Sequence, residues 1–278
     1  MPRLPRIFSH TPPPVRVALC LALAFTACKR DEDPTIPAEP GPNPTGAEAL
    51  PGFEVGPPAA IGDRSDVPHE RFFVELGDAP VRGPTDAAVT VIAFSDFECP
   101  YCQRGHETLL ELEREYHGKI RIAYKAFPLD FHPHAMIAAL AVRTAQAEGK
   151  FWQFHDRLLS QRGLDFEKIQ QYAQEVGLNL DVLAQDLQAL KYGASVRRDM
   201  RQAYRLGVRG TPAYYINGRR VSGAKPKEVL REMIDEEIAL ADQWRAKGIA
   251  GDKLYAYAIE DGYREVAFKD ARKRLRPD

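Results

Sequence analysis

Cysteine is scarce in this sequence. Four occur in 278 residues, and two of them, Cys20 and Cys28, fall in an N-terminal stretch patterned like an export signal. Only Cys99 and Cys102 remain for the folded part, so there is no framework of structural disulfides, and the one pair is there for chemistry or for metal. An excess of charge is missing too: 38 Lys and Arg against 39 Asp and Glu leave a formal net charge of −1. That removes any general attraction to nucleic acid or to anionic lipid. Long apolar runs are also absent. The run Val17 to Ala27 has eleven residues, whereas a membrane-spanning helix needs about 20. Preceded by Arg3, Arg6 and Arg16, it suits the core of a signal peptide. No internal repeat is visible, and no motif asks for a cofactor.

The signal ends in Leu23-Ala24-Phe25-Thr26-Ala27-Cys28, which resembles a bacterial lipobox, where a cysteine after small residues is lipidated and becomes the mature N-terminus. Phe25 is an unusual occupant three residues before that cysteine, which leaves cleavage by ordinary signal peptidase as the alternative. Residues 1–28 therefore read as a signal peptide of lipoprotein type, with Cys28 as the lipidation site. Residues 29–69 are rich in proline and poor in large apolar side chains, so they cannot recover the entropy lost on folding and read as a disordered linker. In polyproline conformation this tether reaches on the order of 100 Å, at roughly 3 Å per residue.

What the chain does have is Phe97-Glu98-Cys99-Pro100-Tyr101-Cys102, placed where an apolar run, Val89 to Phe94, gives way to a helical pattern through Leu109, Leu112 and Tyr116. Cys99 falls at the helix N-terminus. Unpaired N–H groups and the positive end of the helix dipole there favour a thiolate, the form that attacks disulfides. Pro100 suits the first helical position, which needs no N–H. Cys102, one turn along, can close a disulfide with Cys99 or release a mixed one.

Around this motif the pattern predicts a first strand at Phe72–Leu76, turns from Gly77 to Asp86, and strands at Val89–Phe94 and Ile120–Lys125 flanking the cysteine helix. That β-α-β order favours a parallel pair. From His132 to Leu206 the pattern is helical, with Gly149 closing one helix and Asp165 and Asp181 as expected N-caps. Ala213 to Val221 contains Asn217-Gly218, the strongest short hairpin signal, and a long helix follows Pro226 to about Trp244. The fold class is α/β: a β-α-β and β-β-α domain over residues 70–245 carrying an all-helical insertion at about 132–206, then an extension, 246–278.

Taken together, Cys99-Pro100-Tyr101-Cys102, the loop Gly210-Thr211-Pro212 before the hairpin, and Phe127-Pro128-Leu129 leading into His132-Pro133 make the stretch from about Val74 to Trp244 resemble the DsbA-like branch of the thioredoxin fold. The resemblance implies that Cys99 is an exposed nucleophile, that Cys102 resolves, and that the inserted helices cap part of the rim. It also implies that Pro212 is a cis-proline facing the cysteines, so that the Thr211 backbone pairs with an extended substrate. Pro100, Tyr101, Thr211 and Pro212 are the substrate-binding candidates. The activity implied is an extracytoplasmic thiol:disulfide oxidoreductase that donates disulfides to cysteine-containing exported proteins. Its setting is the periplasm if the cell has two membranes. A further redox partner would reoxidise it, and a membrane tether would run through Cys28. Run backwards, the same cysteines make a reductase or isomerase.

Two residues depart from the family pattern. Many relatives carry a buried carboxylate six residues before the first cysteine, where this chain has Ala93, and neither Asp96, Glu98 nor Lys125 can be assigned its role. Tyr101 replaces the histidine of strongly oxidising members and brings no cation to the thiolate. Of a different class, a metal-binding module would use Cys99, Cys102 and His106 as ligands, and a purely substrate-holding one would not need the cysteines at all. Yet Cys99 and His106 lie about 10 Å apart along the helix at 1.5 Å per residue. His132 and His134 read as a turn leading into a helix, Arg197, Arg201, Arg205 and Arg209 as a solvated stripe, and Phe151, Trp152 and Phe154 as core of the insertion.

Overall fold

The computed structural model describes Val67 and residues 70–160 and 163–264. The signal with Cys28, the linker apart from Val67, and the basic tail at Arg272 to Arg274 lie outside the described residues. Two apolar runs become the middle of one sheet: β2 (Val89–Ser95) and β3 (Ile120–Ala126) are buried along their whole length, the pattern of strands covered on both faces. They run parallel, with Val91 opposite Ile122, and α1 (Pro100–Glu115) is the crossover between them. On the other side of β2, β4 (Ala213–Ile216) pairs antiparallel, and β5 (Arg219–Ser222) completes the hairpin. A two-residue β1 (Val81–Arg82) lies antiparallel on β3, giving the order β1-β3-β2-β4-β5. The α/β order read from the sequence is the one observed.

The insertion consists of α2 (Ala135–Ala147), α3 (Phe151–Leu159), α4 (Phe166–Glu175), α5 (Leu180–Gln188) and α6 (Gly193–Arg205). Phe151, Phe154, Leu158, Ile169 and Val196 form its core, and Phe97, Cys99, Cys102 and Tyr124 belong to that same cluster. The cysteine pair thus sits on the seam between the insertion and the sheet's own core. Asp165 caps α4 as expected, accepting from the Lys168 N–H at 2.7 Å. For α5 the cap is Asn179 rather than Asp181: its Oδ1 accepts from the N–H groups of Asp181 and Val182. Asp181 lies inside the first turn, where its charge complements the helix dipole.

The expected first strand, Phe72–Leu76, is not one. Phe72 alone forms a bridge, to Tyr263, and β1 occupies the edge of β3 within the stretch read as turns. The alternation around Val74 reports its complete burial, not sheet pairing. The Asn217-Gly218 turn has φ of 44° and 87°, as a hairpin of this kind requires at both central positions. It is also buried: Asn217 Oδ1 accepts from the Thr90 N–H at 2.9 Å, its Nδ2 donates to Ala88 O at 3.1 Å, and Arg71 donates to its carbonyl at 2.6 Å. Arg71 in turn makes two 2.8 Å bonds to Glu237 of α7 (Lys227–Ala246). Removing one partner of such a buried pair costs about 3–5 kcal/mol. In the segment after Arg245, α8 (Leu254–Ile259) buries Leu254, Tyr255, Tyr257 and Ile259 in the sheet's core. Val67, which the sequence assigns to the linker, joins that core as well.

Gly105 sets how closely α1 approaches β4. A Cβ built there would stand 2.0 Å from the Tyr214 hydroxyl and 3.3 Å from Pro212 Cγ. Alanine in a helix normally gains up to about 1 kcal/mol over glycine, but overpacking costs about 1–3 kcal/mol, so the clash wins. Gly105→Ala is expected to lower stability in urea denaturation by about 1–2 kcal/mol, and Tyr214→Phe in the same chain should recover part of it. A stabilised single variant would contradict this packing.

Candidate active site

β2 ends at Ser95, and the loop through Asp96 delivers Cys99 as the N-cap of α1, with Pro100 at the first helical position. Cys99 O accepts from the N–H groups of Cys102 and Gln103 at 3.0 and 3.2 Å, which fixes the sulfur over the open end of the helix. Across from it the Thr211–Pro212 peptide bond is cis, and Cys99 Sγ lies 3.5 Å from Thr211 O. Of the candidate residues, Cys99, Cys102, Thr211 and Pro212 are therefore brought together, with Pro100 exposed and Tyr101 55% exposed at the rim. Cys28 lies outside the described residues. Cys99 is less open than expected, at 3% exposure, because the Thr211 loop covers it.

Both cysteines are thiols, and their environments drive them apart. The Cys102 thiol donates to the Cys99 sulfur, and this is the largest influence on Cys99. Burial opposes it, while Thr211 and the N–H groups of Cys102 and Tyr101 add to it, and Cys99 is pulled down to about 5 from an ordinary 9.0. The Thr211 hydroxyl is buried with no hydrogen-bond partner among the described residues, which leaves its proton free for a thiolate. Cys102 is pushed well up, first by burial and then by the neighbouring Cys99 sulfur.

The Asp96 backbone N–H donates to Cys102 Sγ at 3.4 Å, but the Asp96 and Glu98 carboxylates are engaged elsewhere. Asp96 accepts from the Glu98 and Leu129 N–H groups, both at 2.8 Å, and lies 2.7 Å from His132 Nδ1. Glu98 accepts from the His134 N–H at 2.7 Å. Together they pin the turn before α2 to the cysteine loop, so His132 and His134 do more than lead into a helix. Lys125 is buried against Asp199 of α6 at 3.2 Å, and Arg143 of α2 shares that carboxylate. His106 does not join the cysteines: its Nε2 lies 3.6 Å from Asp156 Oδ1, on a carboxylate already bonded by Arg82 at 2.7 Å and His155 at 2.8 Å. The sequence reading missed His155 and Asp156, which carry no motif. It also missed Gly105, although a glycine inside a helical pattern is a known sign of close approach.

A C-x-x-C pair at a helix N-terminus, opposite a cis-proline loop on a mixed sheet, defines a dithiol domain of thioredoxin type. A family model described as thioredoxin matches residues 75–236, and the chain belongs to that family, with the DsbA-like arrangement of an inserted helical subdomain. It is similar to a thioredoxin-like oxidoreductase from Silicibacter pomeroyi, 29% identical, with 63% of this chain and 95% of that one covered and a TM-score of 0.53. It shares its fold with oxidised BdbD from Bacillus subtilis, 20% identical, covering 62% and 98%, TM-score 0.57. In sequence it is 36% identical over 161 residues to Na(+)/H(+) antiporter NhaA 1 of Salinispora arenicola, covering 57% of this chain and 24% of the antiporter. The chain spans about a quarter of the length of such curated relatives. Among the described residues no helix is long and apolar enough to cross a membrane.

The alkylation rate of the reduced protein against pH should show an inflection near pH 5 belonging to Cys99. Thr211→Val, which removes the hydroxyl but keeps the shape, is expected to move that inflection upward. Cys102→Ala should move it further, because it removes the largest cause. In the folded state a lowered thiol pKa adds stability that is present above the unfolded value near 9 and lost as pH falls through about 5. An inflection near 9 in the parent chain would contradict the assignment.

Proposed function

We propose that the protein is a thiol:disulfide oxidoreductase that donates disulfides to cysteine-containing exported proteins. The observation that carries this reading is the placement of Cys99 at the start of α1, 3.5 Å from Thr211 O of the cis Thr211–Pro212 loop, with Cys102 buried one turn behind it; that setting holds Cys99 low and pushes Cys102 well up. A stabilised thiolate stabilises the reduced form and so makes the disulfide the better oxidant. The value for Cys99 falls between the roughly 7 of thioredoxin and roughly 3.5 of DsbA, in keeping with a motif whose Tyr101 adds no cation. The likeness to an oxidoreductase over 95% of that protein's length supports the same class of reaction.

In the oxidising direction a substrate thiolate attacks the Cys99 sulfur of the Cys99–Cys102 disulfide. The S–S bond breaks and Cys102 leaves with the electron pair, taking up a proton. A second substrate thiolate then attacks the substrate sulfur of the mixed disulfide, and Cys99 leaves as the thiolate. The substrate gains a disulfide, and the protein holds the two electrons until a redox partner accepts them. Thr211 and Pro212 with Pro100 and Tyr101 form the rim against which an extended substrate lies. The export signal supports a site of action outside the cytoplasm, and Cys28 a lipid tether with the proline-rich segment as spacer.

The test is equilibration against glutathione, reading the thiol fraction by alkylation, together with turnover of a dithiol peptide. The expected potential lies above thioredoxin's roughly −270 mV, with peptide oxidised by the disulfide form. A potential at or below that value would replace the donor by a reductase. Absence of turnover in either direction would overturn the class.

A further inference from the structure

Two neighbours on α3, His155 and Asp156, meet a side chain of α1. His106 Nε2 stands 3.6 Å from Asp156 Oδ1, and His155 Nδ1 stands 2.8 Å from the same oxygen. Among the described residues this is the one cluster of His, Cys, Asp or Glu that offers three ligand atoms all within 4.8 Å of one another. Ligands at about 2.0–2.1 Å from a tetrahedral zinc ion stand roughly 3.3 Å apart, so 2.8 and 3.6 Å bracket the spacing that such an ion requires. Two imidazoles and a carboxylate are also donors that suit zinc.

The surrounding charge favours a cation. Arg82 lies between Asp156 at 2.7 Å and Glu113 at 2.9 Å, one positive charge against two negative ones. It bonds Asp156 Oδ2 and leaves Oδ1 to the imidazoles, the part that an outer partner plays in fixing a ligating carboxylate. His106 and His155 are buried, whereas Asp156 is 34% exposed and gives an ion its way in from solvent. Both imidazoles line an internal cavity of about 20 Å³. A water molecule needs roughly 10–15 Å³ by this measure, so there is room for one as a fourth ligand. Tyr124 lines the same cavity at 1% exposure, and its hydroxyl has no hydrogen-bond partner among the described residues. Leaving a buried hydroxyl unpaired is costly, and a metal-bound water supplies the partner.

We propose that His106 Nε2, His155 Nδ1 and Asp156 Oδ1 form a zinc site, with one water in this cavity as fourth ligand and Tyr124 accepting a hydrogen bond from it. The ion takes the place of the proton between His155 Nδ1 and Asp156 Oδ1, and His155 carries its proton on Nε2. Because one ligand belongs to α1 and two to α3, the ion clasps the cysteine helix to the insertion. Neither cysteine is a ligand, so the site is independent of the exchange reaction.

The test uses the full chain carrying both Cys99→Ser and Cys102→Ser, in which no sulfur near the site can bind metal. Zn²⁺ is titrated near neutral pH against a chromogenic chelator, and Co²⁺ serves as the coloured substitute. One Zn²⁺ per chain is expected, with the intense visible bands of four-coordinate Co²⁺ and a Tm that rises with Zn²⁺. His106→Gln or Asp156→Asn added to that chain should weaken Zn²⁺ binding by at least about tenfold and abolish the rise in Tm. The pair His132→Gln and His134→Gln, which changes the other imidazoles near the motif, should leave the affinity unchanged. Circular dichroism checks that each variant is folded, and if Asp156→Asn is not, His106→Gln decides. No Zn²⁺ binding, binding kept by folded His106→Gln, or binding lost from the folded His132 and His134 variant would overturn the proposal. If Zn²⁺ binds as expected while the parent oxidises no dithiol peptide, the site stands and the donor reading falls; oxidation by a parent whose serine form binds no Zn²⁺ gives the reverse.

Discussion

Two sulfurs one helical turn apart organise this molecule: Cys99 is held low, first by its hydrogen bonding with Cys102, and Cys102 is pushed well up, first by burial. Cys99 sits over the unpaired N–H groups at the start of α1, where negative charge is favoured. Cys102 lies inside the first turn, where burial disfavours it. The helix must therefore be held close to the Thr211–Pro212 loop, and Gly105 permits that approach. Relaxing the contact with Tyr214 would move both sulfurs relative to Thr211.

The insertion is part of this arrangement rather than an appendage. Asp96 and Glu98 leave the cysteine loop to bind the turn that opens α2. Lys125 on β3 and Arg143 on α2 converge on the buried Asp199 of α6. A lone carboxylate there would be costly to bury; two cations and the Ala126 N–H make it tolerable. The sheet and the helical layer are tied by charge beside the cysteines.

Much of this was legible in the sequence, and the boundary falls where local signals end. The parallel pair, the cysteine helix, the hairpin at Asn217-Gly218 and the run of helices between β3 and β4 each follow from short-range pattern, and each is observed. Phe72–Leu76 misled because alternation reports burial, and Val74 is buried without a pairing partner. Asn179 took the cap from Asp181 because either residue type satisfies the N–H groups and only the chain path decides between them. At the site, the C-x-x-C and Thr-Pro motifs located the sulfurs and the facing loop. His155 and Asp156 come to His106 only through the docking of α3, about fifty residues along the chain, and Asn217 showed its turn but not its buried amide. No periodicity encodes such contacts.

The division of labour between the two cysteines is the central claim, and covalent trapping reads it directly. The Cys102→Ser chain, incubated with a disulfide-bearing peptide, should accumulate one adduct, mapped by mass spectrometry to Cys99. The Cys99→Ser chain should form almost none under the same conditions. Adducts at Cys102, or equal labelling of both variants, would contradict the account.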